Sequence, residues 1–320
     1  MTNLSEFTFL SSDGKTQLHG MLWEPEGVAV RAVLQICHGV AEHIARYDGF
    51  ARALNEQGIV VAGHDHLGHG KSLPEGGTPV YFGQGSTWNT VVDDIYILHQ
   101  RLKQRYPDVP LCIMGHSMGS FLTRTYLIRY PGTVKAAVIM GTGWQPQAAI
   151  TGGLALANAI AAVSGENATS ELVTELAFGS YNKLFAPNRT KVDWLSADES
   201  NVDDYIADPL CGADATVGLF RQMLHGIRFN QRQSHLRQMD REMPVLFVAG
   251  DKDPVGNCGK GVRQTYDAFR AAGMRDCTLK LYPGLRHEIL NEKAYTADIT
   301  KNIEAWLLSR LEKVSPFAER

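Results

Sequence analysis

Gly115-His116-Ser117-Met118-Gly119 follows the apolar run Leu111-Cys112-Ile113-Met114 and precedes a helix-like run from Phe121 to Tyr130. The arrangement reads as strand, sharp turn, helix, with a serine at the apex. A G-x-S-x-G turn of this kind holds its serine in a strained backbone conformation and presents the hydroxyl at the carboxyl edge of a sheet. Its glycines stand where strand and helix backbones pass too close for a side chain. Ser117 is therefore the candidate nucleophile. An ordinary tight turn would read the same way in isolation, so the meaning of the pentapeptide depends on its surroundings.

Outward from that turn, strand-like and helix-like segments alternate. Short apolar runs at 32–37, 59–62, 111–114 and 136–140 predict buried strands, and helical patterns occupy 47–56 and the stretch holding Val91, Ile95, Leu98 and Leu102. Two runs flanking Asp13-Gly14 predict a hairpin. The alternation returns late, with strands at 245–249 and 278–282 separated by a helix at 262–271, and a final helix carrying Ile299, Ile303, Trp306 and Leu307. Continuous apolar strands alternating with helices imply an α/β fold: a mostly parallel sheet covered on both faces. Between the two halves the alternation is lost. Residues 144–239 are expected to form a mainly helical cap inserted into a core made of 1–143 and 240–320.

The chain has 320 residues and a net charge of −3 from 31 basic and 34 acidic residues, with no long run of either sign, which argues against a nucleic-acid partner or a polybasic membrane anchor. The N-terminus lacks a basic n-region and an apolar stretch, so no secretory signal is expected. No window reaches the roughly 18 consecutive apolar residues of a membrane span. The five cysteines are scattered without C-x-x-C spacing, giving no metal expectation. These features point to a cytoplasmic protein. His64, His66 and His69 invite a zinc reading, but they sit in a Gly-rich loop without helical register, and loop structure is the preferred explanation.

Ligands of open α/β sheets bind beyond the carboxyl ends of the strands. Asp251 and Asp253 follow one late strand and His287 follows the next. A serine hydroxyl needs a general base, histidine can accept and return the proton, and an aspartate fixes the imidazole tautomer. The expected catalytic set is Ser117 as nucleophile, His287 as general acid/base and Asp253 as orienting acid. Asp253 is favoured over Asp251 because it lies farther past the strand end. An oxyanion hole is expected from the backbone N–H of Met118 and, from the loop starting at His38-Gly39, that of Val40. His38 and Glu42 are read as shaping that loop by hydrogen bonding.

The set His38-Gly39-x-x-Glu42-His43-x-x-Arg46-Tyr47, Asp65-x-x-Gly68-His69-Gly70-x-Ser72, Gly115-His116-Ser117-Met118-Gly119, Gly250-Asp251-x-Asp253 and His287-Glu288 resembles the monoacylglycerol lipase and lysophospholipase branch of the α/β-hydrolases, bacterial type. Ser120 departs from the further glycine usual there. The resemblance implies an α/β-hydrolase fold, cofactor-free hydrolysis of a small acyl ester, and an apolar acyl channel beneath the cap. Leu154, Ile160 and Phe178 are candidate acyl contacts, although ordinary helix packing explains the same apolar residues. The cap is also a candidate for transient contact with a membrane surface. A peptidase or acyltransferase using the same serine, and a non-catalytic ligand receptor, are the alternatives. Head group, chain length and oligomeric state are left open.

Overall fold

The computed structural model describes residues 1–312; residues 313–320 of the expected core segment 240–320 lie outside the described residues. The strands are β1 (Thr2–Leu10), β2 (Gln17–Pro25), β3 (Ala32–Cys37), β4 (Ile59–His64), β5 (Leu111–His116), β6 (Ala137–Met140), β7 (Val245–Gly250) and β8 (Cys277–Tyr282). They form one sheet in the order β1-β2-β4-β3-β5-β6-β7-β8. The hairpin β1–β2 and the β2–β4 pair are antiparallel, and all later pairs are parallel. The fold is the α/β-hydrolase fold that the sequence implied.

The parallel strands are buried on both faces because successive side chains point to opposite sides. Val33, Val60, Ile113, Ile139 and Phe247 enter one core, and Leu34, Val61, Met114, Val138 and Val248 enter the other. Helices α1 (Asp48–Asn55), α2 (Trp88–Arg105) and α3 (Met118–Arg129) belong to the first half of the chain. Helices α10 (Lys260–Ala271) and α11 (Thr296–Glu312) belong to the last part. Apolar stripes of α2, α3 and α10 fill the first core, and those of α1 and α11 fill the second. The expected helix at 47–56 is split into a 3-10 turn at Ile44–Tyr47 and α1. The helix after the serine turn starts at Met118, earlier than the pattern predicts, because the turn consumes only Ser117.

The stretch between β6 and β7 adds no strand to the sheet. It holds α4 (Gln147–Ser164), α5 (Glu171–Thr174), α6 (Ser180–Lys183), α7 (Glu199–Ala207), α8 (Val217–Asn230) and α9 (Gln233–Leu236). Helix α8 is fastened to the core: Asn230 Nδ2 donates to the Phe121 carbonyl at 2.8 Å, and Thr125 Oγ1 donates to Asn230 Oδ1 at 2.8 Å. Helix α4 buries Ile150, Leu154 and Ala157 and turns most of its surface outward. Among the described residues it is the helix long and apolar enough to cross a membrane by length and composition. Thr151, Asn158 and its glycines break the continuous apolar run that the sequence criterion required.

Candidate active site

Ser117 occupies the junction of β5 and α3 with φ 54° and ψ −122°. That is a strained conformation for a residue with a side chain, and such strain persists only where the surroundings impose it. Here the constraint is close packing. A Cβ on Gly115 would lie 2.2 Å from the Gly119 carbonyl oxygen, and one on Gly119 would lie 2.0 Å from that of Cys37. Both positions exclude any side chain, so the strand and helix meet at van der Waals distance and the serine is forced to the apex. Its N–H donates to the Met140 carbonyl at 3.1 Å, tying the turn to the end of β6. Ser120, which departs from the family pattern, is fully buried and donates its hydroxyl to the Ser117 carbonyl at 2.6 Å.

The loops after β7 and β8 bring Asp253 and His287 together. His287 Nδ1 lies 3.0 Å from Asp253 Oδ1, and both side chains are shielded from solvent. Asp253 Oδ1 also accepts from the Val255 N–H at 2.9 Å. Asp251 is used differently: its carboxylate accepts from the Gly284 N–H at 2.8 Å within the β8 turn. Ser117 and His287 both line a cavity of about 500 Å³, together with Gly39, Val40 and Trp194. The amides of Val40 and Met118 donate no hydrogen bond to any acceptor among the described residues. Met118 lies at the first position of α3, where an N–H has no intrahelical partner.

The loop after β3 is shaped by buried polar groups. His38 Nδ1 faces the Gly39 carbonyl at 2.7 Å and its Nε2 accepts from the His66 N–H at 2.9 Å, which fixes it as a neutral tautomer. Glu42 Oε1 accepts from the Gly39 N–H and from Tyr47 Oη. His116 points its Nδ1 at Glu42 Oε1 and its Nε2 at the carbonyl of His287, each at 3.2 Å. Both partners are acceptors, so both ring nitrogens carry protons. Burial works against that charge, but the Glu42 carboxylate outweighs it and raises the His116 pKa. Burial likewise pushes Glu42 up, yet His116 and Arg46 hold it well below the usual carboxylate range. Arg46 links Glu42 to Glu288, the neighbour of His287, and Asn201 of α7 donates to Glu288 at 2.8 Å.

A second, apolar cavity of about 340 Å³ opens from the serine. Val40, Ser117, Phe178 and Trp194 line both cavities. Of the expected acyl contacts, Phe178 is on the wall of this cavity. Leu154 and Ile160 are not: Leu154 packs into the core and Ile160 against Ala157 and Val173. Ile160 shares the face of Gly153 and Leu156 but lies a turn beyond the cavity, whereas Leu154 points to a different side of α4. Sequence reasoning missed Trp194, whose ring lies 5.1 Å from that of His287, and Tyr181, whose ring meets Trp194 edge-on at 5.2 Å. Both lie between β6 and β7, Tyr181 on the four-residue α6 and Trp194 on a single 3-10 turn, elements too short to give a periodic signal. His64, His66 and His69 pack ring to ring with His38 in the buried loop and form no convergent donor set among the described residues.

Residues 28–294 match the protein family described as "Serine aminopeptidase, S33". The chain is 31% identical to a monoacylglycerol lipase of Mycolicibacterium smegmatis, covering 96% of this chain and 98% of that one. It is 28% identical to the monoglyceride lipase of Mus musculus, over 94% and 90% of the two chains. Among solved structures, a thermostable carboxyl esterase from Bacillus coagulans in complex with glycerol superposes with a TM-score of 0.90 at 26% identity, covering 97% of this chain and 100% of that one.

Proposed function

The chain belongs to the family described as Serine aminopeptidase, S33, and on that premise we propose that it is a serine hydrolase of carboxylic esters, with monoacylglycerols or lysophospholipids as substrates. One observation carries the ester reading: Ser117 opens at once onto a cavity whose walls include Asn182, Lys183 and Lys191 and onto one lined almost throughout by apolar side chains. An ester with a polar alcohol on one side of its carbonyl and an acyl chain on the other fits that division. Ser117 Oγ attacks the carbonyl carbon while His287 takes its proton, and Asp253 holds the imidazole in the required tautomer. The amides of Val40 and Met118 receive the developing oxyanion. His287 returns the proton to the alcohol, which leaves. Water, activated by the same histidine, then cleaves the acyl-serine.

The family description favours a second reading, a peptidase. An aminopeptidase needs a free carboxylate for the substrate amine: Glu42 and Glu288 are occupied by Arg46 and His116, while Asp214 lines the same cavity without an ion-pair partner among the described residues, so turnover decides between the two readings. The test is fluorophosphonate labelling of the wild type and of Ser117→Ala, paired with turnover of p-nitrophenyl acyl esters and aminoacyl amides. Labelling confined to the wild type, with ester turnover only, is expected. Amide turnover without ester turnover would overturn the assignment.

The proposal extends to a transient membrane-surface contact through the cap, supported by the exposed Val163, Leu172, Leu176 and Leu184. Co-sedimentation with phospholipid vesicles should be lost in Leu172→Glu/Leu176→Glu; binding unchanged by that pair would refute the contact. The free state of all five cysteines fits a cytoplasmic location.

A further inference from the structure

His43, Asp208 and Cys211 converge from two parts of the chain. His43 ends the loop that carries Val40, while Asp208 and Cys211 follow α7 in the cap. Their ligating atoms all lie within 4.8 Å of one another. His43 Nε2 is 2.8 Å from Asp208 Oδ2. The other oxygen, Oδ1, accepts from the Leu210 N–H at 2.9 Å, which leaves Oδ2 directed at the histidine. The Cys211 N–H donates to the Asp208 carbonyl at 3.0 Å, closing a tight turn that places the thiol beside the carboxylate. The turn is fastened to the opposite loop as well. The Gly212 N–H and Tyr205 Oη each donate to the Ala41 carbonyl at 3.0 Å. The backbone therefore holds the three side chains in place without help from any ion.

We infer that His43, Asp208 and Cys211 form a binding site for one borderline-soft divalent cation of the zinc class, joining the cap to the loop that bears Val40. One nitrogen, one oxygen and one sulfur donor form the mixed set that zinc accepts, with a fourth position open to water. Magnesium and calcium, which require oxygen ligands, are excluded by the thiol and the imidazole. Asp208 and Cys211 are half-buried, so an ion can enter from solvent. A bound cation supplies the charge that deprotonates the Cys211 thiol. Binding therefore forms a metal–sulfur bond and releases one proton per ion from Cys211, while the proton that His43 Nε2 donates to Asp208 passes to Nδ1 so that Nε2 can ligate the ion. The site lies outside the proposed triad and does not depend on the ester-hydrolase reading.

Cobalt(II) is the probe, added to the full-length, metal-stripped protein. The expected result is a thiolate-to-cobalt charge-transfer band that saturates at one ion per chain and is displaced by zinc. It should disappear in Cys211→Ser and persist in Cys258→Ser, whose thiol is exposed and far along the chain. Zinc should also raise the thermal midpoint of the wild type and protect Cys211 from alkylation, read by mass spectrometry, which covers the case of a misfolded Cys211→Ser. No charge-transfer band, a band that survives Cys211→Ser or vanishes in Cys258→Ser, or alkylation of Cys211 at the same rate with and without zinc would overturn the site.

Discussion

The guanidinium of Arg46 is forked onto the carboxylate of Glu288, with nitrogen–oxygen distances of 2.7 and 2.8 Å. The pair is almost fully buried and also engages Glu42, so two carboxylates share one guanidinium. Removing one partner of a buried ion pair strands the other without solvent, at about 3–5 kcal/mol. Arg46→Ala should lower the unfolding free energy by about that amount in denaturant titration. A loss below about 1 kcal/mol, the scale of an exposed pair, would show that water reaches the carboxylates.

Ser117 has a backbone conformation that glycine adopts without strain. Ser117→Gly should therefore abolish ester turnover while raising stability by about 1 kcal/mol, the strain released less the chain entropy glycine adds. The two effects are read by p-nitrophenyl ester hydrolysis and by denaturant titration. A destabilised Ser117→Gly would mean that the observed φ is not strained.

Asp253 meets His287 through Nδ1, which leaves Nε2 to receive the serine proton in the proposed mechanism. Asp253→Asn keeps the size of the side chain but permits the wrong tautomer. It is expected to reduce kcat by about 10⁴ with the fold intact. Asp251→Asn should reduce it by less than about tenfold, since its carboxylate only closes a turn. Equal losses in the two variants would refute the distinction.

Leu156 lines the apolar cavity from α4. Leu156→Trp adds bulk there and should lower kcat/KM for long-chain esters by about 10–100-fold, with short-chain esters nearly unchanged. A parallel decline at every chain length would place the acyl chain elsewhere.

Burial depresses the pKa of His64 to about 3 and of His69 to about 4, takes His66 well below its ordinary value, and lowers His38. For each, the unfolded chain takes up a proton before the folded one. Stability is thus full above about pH 6.5 and falls as pH drops below it, by at most about 1.4 kcal/mol per pH unit for each of His64 and His69. His99, lowered to about 4 by burial, adds to the trend, and Asp94, raised to about 6 by burial, opposes it. His19 and His116 have raised values, so their contribution is complete below pH 6.5 and unchanged in this window. The thermal midpoint should fall steeply from pH 6.5 to 5; a flat profile would mean that these histidines are hydrated.

The sequence by itself determined the sheet, the serine turn and the order Ser117, Asp253, His287. Each of these is written in local patterns: apolar runs, glycines at a forced close approach, and polar residues just past strand ends. Only the tertiary structure decided that Asp253 meets His287 while Asp251 closes a turn, that Arg46 bridges Glu42 and Glu288, and that Trp194 packs on His287. It also set Leu156 of α4 on the wall of the apolar cavity, left Ile160 a turn beyond it and packed Leu154 into the core. The physical reason is range. Periodicity sets which residues share a face of one element, but where α4 lies over the cavity and the course of the short segments between β6 and β7 are fixed by packing against residues distant in the chain.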